Sequence, residues 1–506
     1  MSESAWEVPT KQYPAISAGG LYDVVVIGGG ITGLTAAYLL KRAGKRVAVI
    51  ERGKIGSGET GHTTAHLTCV TDLRFKELTQ QFGEDAARLV WLAGQTAVDA
   101  IESIVDEHQI ECDFKRVIGY VHASLESGKD EAEDLRPECD QINKSGFQAD
   151  FYASIPGIGQ PGYGIPEQVL FHPLKYLSGL AEIIHGDGCA IFEDSNVDAI
   201  EDEPPVVVVG EHRLRCDRVI VATHVPLQGK AGFISASLFQ TKIAPYSTYA
   251  VSAKLPSGTI PVGSYWDTSD PYYYLRVEHG AEYDTAIFGG ADHKTGQVTD
   301  TEECFRKVTD VLLDLAPMAE ITNRWSGQVI ETHDGLPFIG ETAKHQFAAT
   351  GFSGNGTTFG TLSAMMAADW VAGRENPWQP LFDIDRKPIP HGMWEYVKEN
   401  FDYPFYFVKD FFTPKNKIDP QSVAAGEGKI VKIDGKSCAC SRDAEGNLSI
   451  VSATCTHMGC LVRWNSAETT WDCPCHGSRF KTTGEVIAGP AETPLAQIES
   501  PQPQTA

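Results

Sequence analysis

Apolar runs separated by glycine and polar turns divide the chain into strand and helix periods. The first run, Val24-Val25-Val26-Ile27, is four apolar and mostly β-branched residues in succession, the pattern of a strand buried on both faces. Gly28, Gly30 and Gly33 follow at once. A helical period covers roughly Ile31 to Ala43, and a second apolar strand, Arg46 to Ile50, ends at Glu51. Further helical periods cover Asp72 to His108, Leu125 to Lys144 and Phe171 to Ile184. Strand patterns fall at Lys115–Val121, Val206–Val209 and Arg218–Thr223, and mixed strand and hairpin patterns at Tyr246–Ala253, Tyr272–Val277 and Ala286–Gly290.

The first strand, glycines, helix and second strand form one unit. Gly28 permits the tight turn, Gly30 lets backbone approach a pyrophosphate, and Gly33 lets the helix pack close to the strand. The helix aims its positive end at the phosphates, and Glu51 stands where a carboxylate receives ribose hydroxyls. A glycine-rich turn alone is a weak signal, but strand, glycines, helix, strand and terminal Glu51 in register make a strong one. The chain is expected to bind a dinucleotide here. The loop from Arg52 to Gly61 and the run His62-Thr63-Thr64 place Arg52, His62, Thr63 and Thr64 beside it.

Composition narrows the partners. The 506 residues suit two or three domains, and 42% hydrophobic with 22% charged residues is the balance of a globular protein. A formal charge of −25 argues against nucleic acid or an anionic membrane surface. No apolar run is long enough for a membrane span and Met1 to Gly20 is polar, so a cytoplasmic location is expected. Of the twelve cysteines, six follow residue 430, and two of these loops also hold histidines. The others (Cys69, Cys112, Cys139, Cys189, Cys216, Cys304) are scattered and read as reduced, buried residues.

A second glycine-rich turn, Gly351-Phe352-Ser353-Gly354-Asn355-Gly356, feeds a helix from Thr357 to Val371. Before it stand Arg324-Trp325-Ser326-Gly327 and Asp334-Gly335-Leu336-Pro337-Phe338-Ile339-Gly340. Together with the first glycine motif, Glu51 and Val219–Thr223, these blocks resemble the D-amino-acid-oxidase-like FAD-dependent amine oxidoreductases over roughly residues 20 to 372. The resemblance implies an α/β FAD-binding Rossmann-like domain with an inserted mixed-sheet substrate domain. It also implies FAD as cofactor, with Gly354, Asn355, Gly356 and Thr357 near its isoalloxazine end, and oxidation of a small amine or amino acid. Arg276, on the strand Tyr272–Val277, is the candidate grip for a substrate carboxylate, with a structural salt bridge as the competing role. Tyr274 and His293 are further candidates. The run Ser57-Gly58-Glu59-Thr60-Gly61-His62 matches a segment of the dimethylglycine- and sarcosine-dehydrogenase branch that carries FAD covalently through its histidine, although Gly61 replaces that branch's tryptophan. A His62 that only packs beside the flavin is the simpler reading.

Residues 386–420 form a linker rich in aromatics, including Trp394, Tyr396, Phe401, Phe405 and Phe411. It reads as apolar packing across a seam rather than as an electron relay. Beyond it, short strand patterns alternate with two loops, Cys455-Thr456-His457-Met458-Gly459-Cys460 and Cys473-Pro474-Cys475-His476-Gly477-Ser478. Each offers a Cys and a His as ligands with one further Cys. Zinc loops favour paired C-x2-C ligands and leave the extra cysteines without a role. The loops are similar to those of the Rieske proteins of respiratory and photosynthetic cytochrome complexes. That resemblance makes Cys455, His457, Cys473 and His476 ligands of one 2Fe-2S cluster. It makes Cys460 and Cys475 a disulfide, and Gly489-Pro490-Ala491 a third loop over the cluster. Phe480 stands where high-potential members carry a tyrosine.

The expected organisation is an FAD-dependent oxidoreductase over 20–385, the linker 386–420, and a small all-β Rieske domain over 421–506. The expected function is dehydrogenation of an amine or amino acid, with electrons leaving through the cluster to an external acceptor. A one-electron protein could serve as acceptor or as donor. The alternatives are an oxygen-using oxidase with a structural or regulatory Rieske domain, and a redox sensor module without turnover.

Overall fold

The computed structural model describes residues 4–6, 8, 11–126, 131–201, 203–225, 242–386 and 419–498. The aromatic run of residues 387–418 lies outside the described residues, so its role as linker packing or relay is not addressed by the fold.

Val24–Ile27 lies inside a six-stranded sheet ordered Phe338–Ala343, Gln346–Thr350, Arg218–Val221, Val24–Ile27, Val47–Ile50, Ala190–Phe192. Its neighbours on either side run parallel to it, with Arg218 opposite Val24 and Val24 opposite Val47. Side chains alternate between faces, so Val24 and Val26 pack with Leu34 and Leu40 of the helix Ile31–Arg42, while Val25 and Ile27 turn the other way. That second face is covered by a four-stranded sheet carrying Ile200, Val207, Val209 and Leu214. Both faces are dry, which is why the strand reads as an unbroken apolar run. Val206–Val209 belongs to the covering sheet and pairs with Ala199–Glu201 and His212–Arg215.

A nine-stranded mixed sheet forms the second layer. Its long strands Ile243–Leu255, Asp284–Lys294 and Glu320–Thr332 pair antiparallel, and Tyr274–Glu278 joins them. One face packs Tyr249, Val251 and Phe288 against Phe305, Val308 and Leu312 of the helix Thr301–Leu315. Residues 428–488 form separate three- and four-stranded sheets, giving the α/β body a small all-β companion. No helix among the described residues is long and apolar enough to cross a membrane.

Three helices differ from the sequence pattern. Asp72–His108 is split into Phe75–Phe82 and Glu84–His108 at Gly83, whose φ of +88° only glycine adopts readily. The charged helix begins at Ala132 rather than Leu125, because the Leu125 amide is taken by Asp267 and the Glu126 amide by Ser124. The helix expected from Phe171 begins at Pro173, with His172 as its cap accepting from the Lys175 amide.

The turn Asp334–Pro337, between strands of the two sheets, is held by Arg386. Its Nε and Nη2 donate to Asp334 at 2.7 and 2.6 Å, and Nη1 donates to the Pro337 carbonyl at 2.8 Å. Burial pushes the Asp334 carboxyl up, but hydrogen bonding and charge from Arg386 outweigh it and hold the group below its usual value. Replacing Arg386 by Met leaves a buried carboxylate unpaired, and a loss of about 3–5 kcal/mol is expected. The pair stabilises above the ordinary carboxylate range and is lost as pH falls through the depressed folded value. Urea unfolding should therefore show a deficit in R386M near neutral pH that shrinks in acid.

Candidate functional site

A cavity of about 960 Å³ opens where the carboxyl ends of the central parallel strands meet the nine-stranded sheet. Its floor is the glycine turn. Gly28 has φ +110°, and a Cβ there would lie 2.3 Å from the Ala222 carbonyl oxygen. Gly30 lines the cavity beside Thr60, whose hydroxyl accepts from the Ile31 amide at 3.2 Å. Gly33 does not reach the cavity; a Cβ on it would fall 1.9 Å from the Gly28 oxygen, so it sets the helix against the turn. Glu51 accepts from the Gly29 and Gly53 amides, both at 2.7 Å, which fixes its carboxylate at the rim. A bare backbone cradle, a helix N-terminus and a fixed carboxylate fit the pyrophosphate and ribose of a dinucleotide.

Arg52, His62, Thr63 and Thr64 also line the cavity. Arg52 donates through Nη2 to the Ile487 carbonyl at 2.6 Å, so it joins the cavity to the C-terminal domain. His62 ends the short helix Glu59–His62, and its Nδ1 lies 3.0 Å from the Gly58 carbonyl. Gly354, Gly356 and Thr357 line the opposite wall at the start of the helix Gly356–Ala372. Asn355 does not. It is buried behind the wall, donating to the Val70 carbonyl at 2.7 Å and accepting from the Asp72 amide at 3.2 Å.

The expected substrate residues divide. Tyr274 lines the cavity, its hydroxyl 2.7 Å from that of Thr248, and burial pushes its phenol well up. Arg276 shares its face of the strand but lies beneath the segment Thr64–Ala65. Its guanidinium donates to the carbonyls of Thr64, Ala65 and Phe171 and pairs with Glu278, an arrangement that matches the structural role weighed beside the carboxylate grip, and it does not line the cavity. His293 also turns away. Its Nε2 meets the Tyr249 hydroxyl at 2.9 Å and its Nδ1 the Lys294 carbonyl at 2.9 Å, outside the cavity lining.

Its neighbour Asp292 faces in, a residue that sequence reasoning passed over. Tyr249 pairs with Gly290 and Ser247 with His293, so two residues, Ala291 and Asp292, oppose the single Thr248. This β-bulge, with Ala291 at φ +57°, re-aims Asp292 into the cavity. Asp72 was also missed. It accepts from the Tyr272 hydroxyl at 2.9 Å and the Gly354 amide at 2.6 Å, and a Cβ on Gly354 would sit 2.8 Å from its carboxylate. His66, Trp266 and Tyr272 complete this end, and burial pulls His66 down to about 3, so it is neutral.

In the C-terminal domain Cys455 and Cys473 are buried in one apolar cluster with Val462, Trp471 and Phe480. The rings of His457 and His476 stand 4.8 Å apart at 85°. Burial pulls both imidazoles down to about 4, which keeps them in the neutral form that binds a metal. Cys460 and Cys475 are joined in a disulfide. Their sulfurs lie within 4.8 Å of that of Cys473, but a disulfide is not a thiolate donor, so this trio is not itself a metal site. Two thiols and two neutral imidazoles on facing loops fit a 2Fe-2S centre. Ser478 accepts from the Ala491 amide at 3.0 Å, tying the second loop to the third.

The cluster loops are seated on the nine-stranded sheet. A Cβ on Gly477 would fall 2.2 Å from Pro245, and one on Gly296 would fall 2.9 Å from the Cys473 carbonyl carbon. Gln328 donates to the Gly477 carbonyl at 2.9 Å, while its own amide donates to Glu59 at 2.7 Å. Residues 485–492 of the small domain complete one wall of the cavity.

The sequence matches the FAD dependent oxidoreductase family over residues 23–370 and the Rieske [2Fe-2S] domain over 416–499. It is 34% identical over 506 residues, spanning 98% of this chain and 97% of the relative, to YhfW of Bacillus subtilis, named as a Rieske 2Fe-2S iron-sulfur protein. Gamma-glutamylputrescine oxidoreductase of Escherichia coli is 24% identical, over 73% of this chain and 88% of its own length. Among solved structures, glycine oxidase from Geobacillus kaustophilus superposes with a TM-score of 0.61 at 18% identity, covering 72% of this chain and 99% of that one. The cradle, the fixed Glu51 and the paired Cys/His loops thus have a common explanation: the chain belongs to the FAD-dependent oxidoreductases and carries a Rieske domain, with FAD and one 2Fe-2S cluster as its cofactors.

Proposed function

We propose that the protein is a dehydrogenase that oxidises a C–N bond of a small amine or amino acid, passing electrons from FAD to the Rieske cluster and on to an external acceptor. When bound, FAD accepts two electrons from the carbon next to nitrogen, and the cluster accepts them singly. The observation that carries the reading is the seat of the cluster loop. His476 is followed by Gly477, whose carbonyl is held by Gln328, and the Gln328 amide is held by Glu59 in the loop that lines the FAD cavity. One residue therefore bridges the two cofactor sites. The helix Gly356–Ala372 opens its N-terminus on the cavity, where its amides favour negative charge gained on reduction.

Anaerobic addition of a reducing substrate should bleach the flavin and then raise the cluster's EPR signal, at a rate independent of protein concentration. His476→Ala should abolish the signal and leave bleaching intact. A flavin that bleaches beside a permanently oxidised cluster, with stoichiometric hydrogen peroxide in air, would instead support the oxidase reading.

The cluster potential should fall in the lower part of the Rieske range of roughly −150 to +300 mV. Phe480 is fully buried among the ligand cysteines and donates no hydrogen bond. Phe480→Tyr should raise the potential, because a donor to sulfur favours the more negative reduced cluster. EPR-monitored redox titration reads the shift, and a fall or no change would mean position 480 does not address the cluster.

His62 is oriented through Nδ1 by the Gly58 carbonyl, an anchorage suited to packing beside the flavin. Acid precipitation of the holoenzyme should leave the yellow colour in the supernatant. Colour that stays in the pellet and is released by His62→Ala would establish a covalent bond.

A further inference from the structure

The substrate end of the cavity has a one-sided charge. The nine-stranded sheet and the turn at 352–357 contribute His66, Thr248, Trp266, Tyr274, Asp292, Phe352 and Gly354 to it, and no lysine or arginine. The guanidinium on the strand Tyr274–Glu278, that of Arg276, lies outside the cavity lining, with Nη1 and Nη2 given to three backbone carbonyls and Glu278 and Nε buried without a partner. The cations that do line the cavity, Arg52, Lys54 and Lys481, belong to the loop after Glu51 and to the Rieske domain. Of the carboxylates that line the cavity, Asp72 and Asp292 are the two beside Tyr272 and Tyr274.

They are not equivalent. Asp72 is satisfied by Tyr272 and Gly354. Asp292 Oδ1 is shielded from solvent and has no hydrogen-bond partner. The residue is placed there by the bulge opposite Thr248 and by a left-handed alanine, a conformation that residues with a Cβ rarely adopt. A strained backbone that delivers an unpartnered carboxylate oxygen into a binding cavity is a device for holding a cation.

We propose that the substrate is a cationic amine without an α-carboxylate, its ammonium held by Asp292 Oδ1 between Tyr272 and Tyr274, with Asp72 adding negative potential. This rests on the C–N oxidation reading and narrows it to amines. A substrate carboxylate would enter a site with no cation to meet it and two carboxylates to repel it, at the desolvation cost of a buried unpaired charge. An ammonium gains a charge-assisted hydrogen bond to Asp292 Oδ1 and passes one proton to it, leaving the free amine that C–N oxidation requires, and Tyr272, Tyr274 and Trp266 line the space for its alkyl chain. Burial, and secondarily the charge of Asp72, push the Asp292 carboxyl up to about 7, a strain that a bound cation relieves.

The test is anaerobic titration of the oxidised holoenzyme, following the flavin spectrum. The probes are n-butylamine, 1,4-diaminobutane, glycine, L-proline, sarcosine and benzoate. The amines should perturb and then bleach the spectrum, with half-saturation at least tenfold below that of any amino acid, or about 1.4 kcal/mol. Asp292→Asn should weaken amine binding at least tenfold and leave benzoate binding unchanged or tighter, with FAD content and cluster EPR as in the parent. Tighter binding and faster bleaching by amino acids would overturn the amine assignment and leave the C–N oxidation reading standing. Amines that bind but never bleach would overturn that reading while the cation site stands. No response to any probe overturns both.

Discussion

Two glycines, one on each side of the domain boundary, allow its close contacts, and the relation between the cofactor sites depends on them. Gly477 follows His476, and Gly296 sits in the turn after Asp284–Lys294; both have positive φ, +69° and +77°. Any side chain at either position would collide with Pro245 or with the backbone of Cys473 and Pro474. Gly296 therefore meets the backbone of Cys473 and Pro474 directly, and Gly477 packs its backbone against the Pro245 ring. The contact is polar as well as close. Gln328 holds the Gly477 carbonyl, Gln297 reaches the Pro474 carbonyl at 3.3 Å, and Thr301 reaches Asn465 at 2.9 Å. A loop held at Pro474 and Gly477, in a domain held again at Asn465, has little freedom to swing, so the loop's position relative to the cavity is set by the fold itself.

The parts of this arrangement that sequence reveals are those written in local pattern. Val24–Ile27, the glycines and Glu51 are contiguous in one βαβ unit, and backbone sterics alone dictate their roles. The Cys/His loops are equally local, because each loop folds on itself, with the Cys455 amide bonded to the Cys460 carbonyl and the Gly477 amide to the Cys473 carbonyl. What sequence hides is orientation across long distances. Strand alternation makes Asp292 and His293 equal candidates, and only the bulge opposite Thr248, a property of pairing between distant strands, decides between them. Arg276 fails for a related reason. It has the right strand and the right face, but Thr64–Ala65, more than 200 residues earlier, crosses over it and takes its donors.

The cavity separates charge along its length. Arg52 and Lys54 gather near the loop that follows the dinucleotide motif, where phosphate and ribose chemistry is anionic or polar. Asp72 and Asp292 occupy the far end. In a chain of net charge −25 acidic side chains are plentiful, so their presence says little by itself. Their burial says more, because burying a carboxylate is unfavourable unless a partner compensates. Asp72 has its partners within the protein, and Asp292, though beside the Thr248 hydroxyl, keeps Oδ1 without one.

Arg52 connects these themes. It follows Glu51, lines the cavity, and donates to the Ile487 carbonyl in the strand Val486–Ala488 of the small domain. That strand leads into Gly489-Pro490-Ala491, which lines the same cavity and is tied through the Ala491 amide to Ser478 in the cluster loop. The wall of one cofactor site is thus a neighbour, through a single hydrogen bond, of the loop that binds the other. An acceptor domain appended only for diffusion-driven exchange would need no such shared wall. Here the small domain completes the wall of the cavity and holds its cysteine–histidine loop beside it, so the two sites are built as one structure.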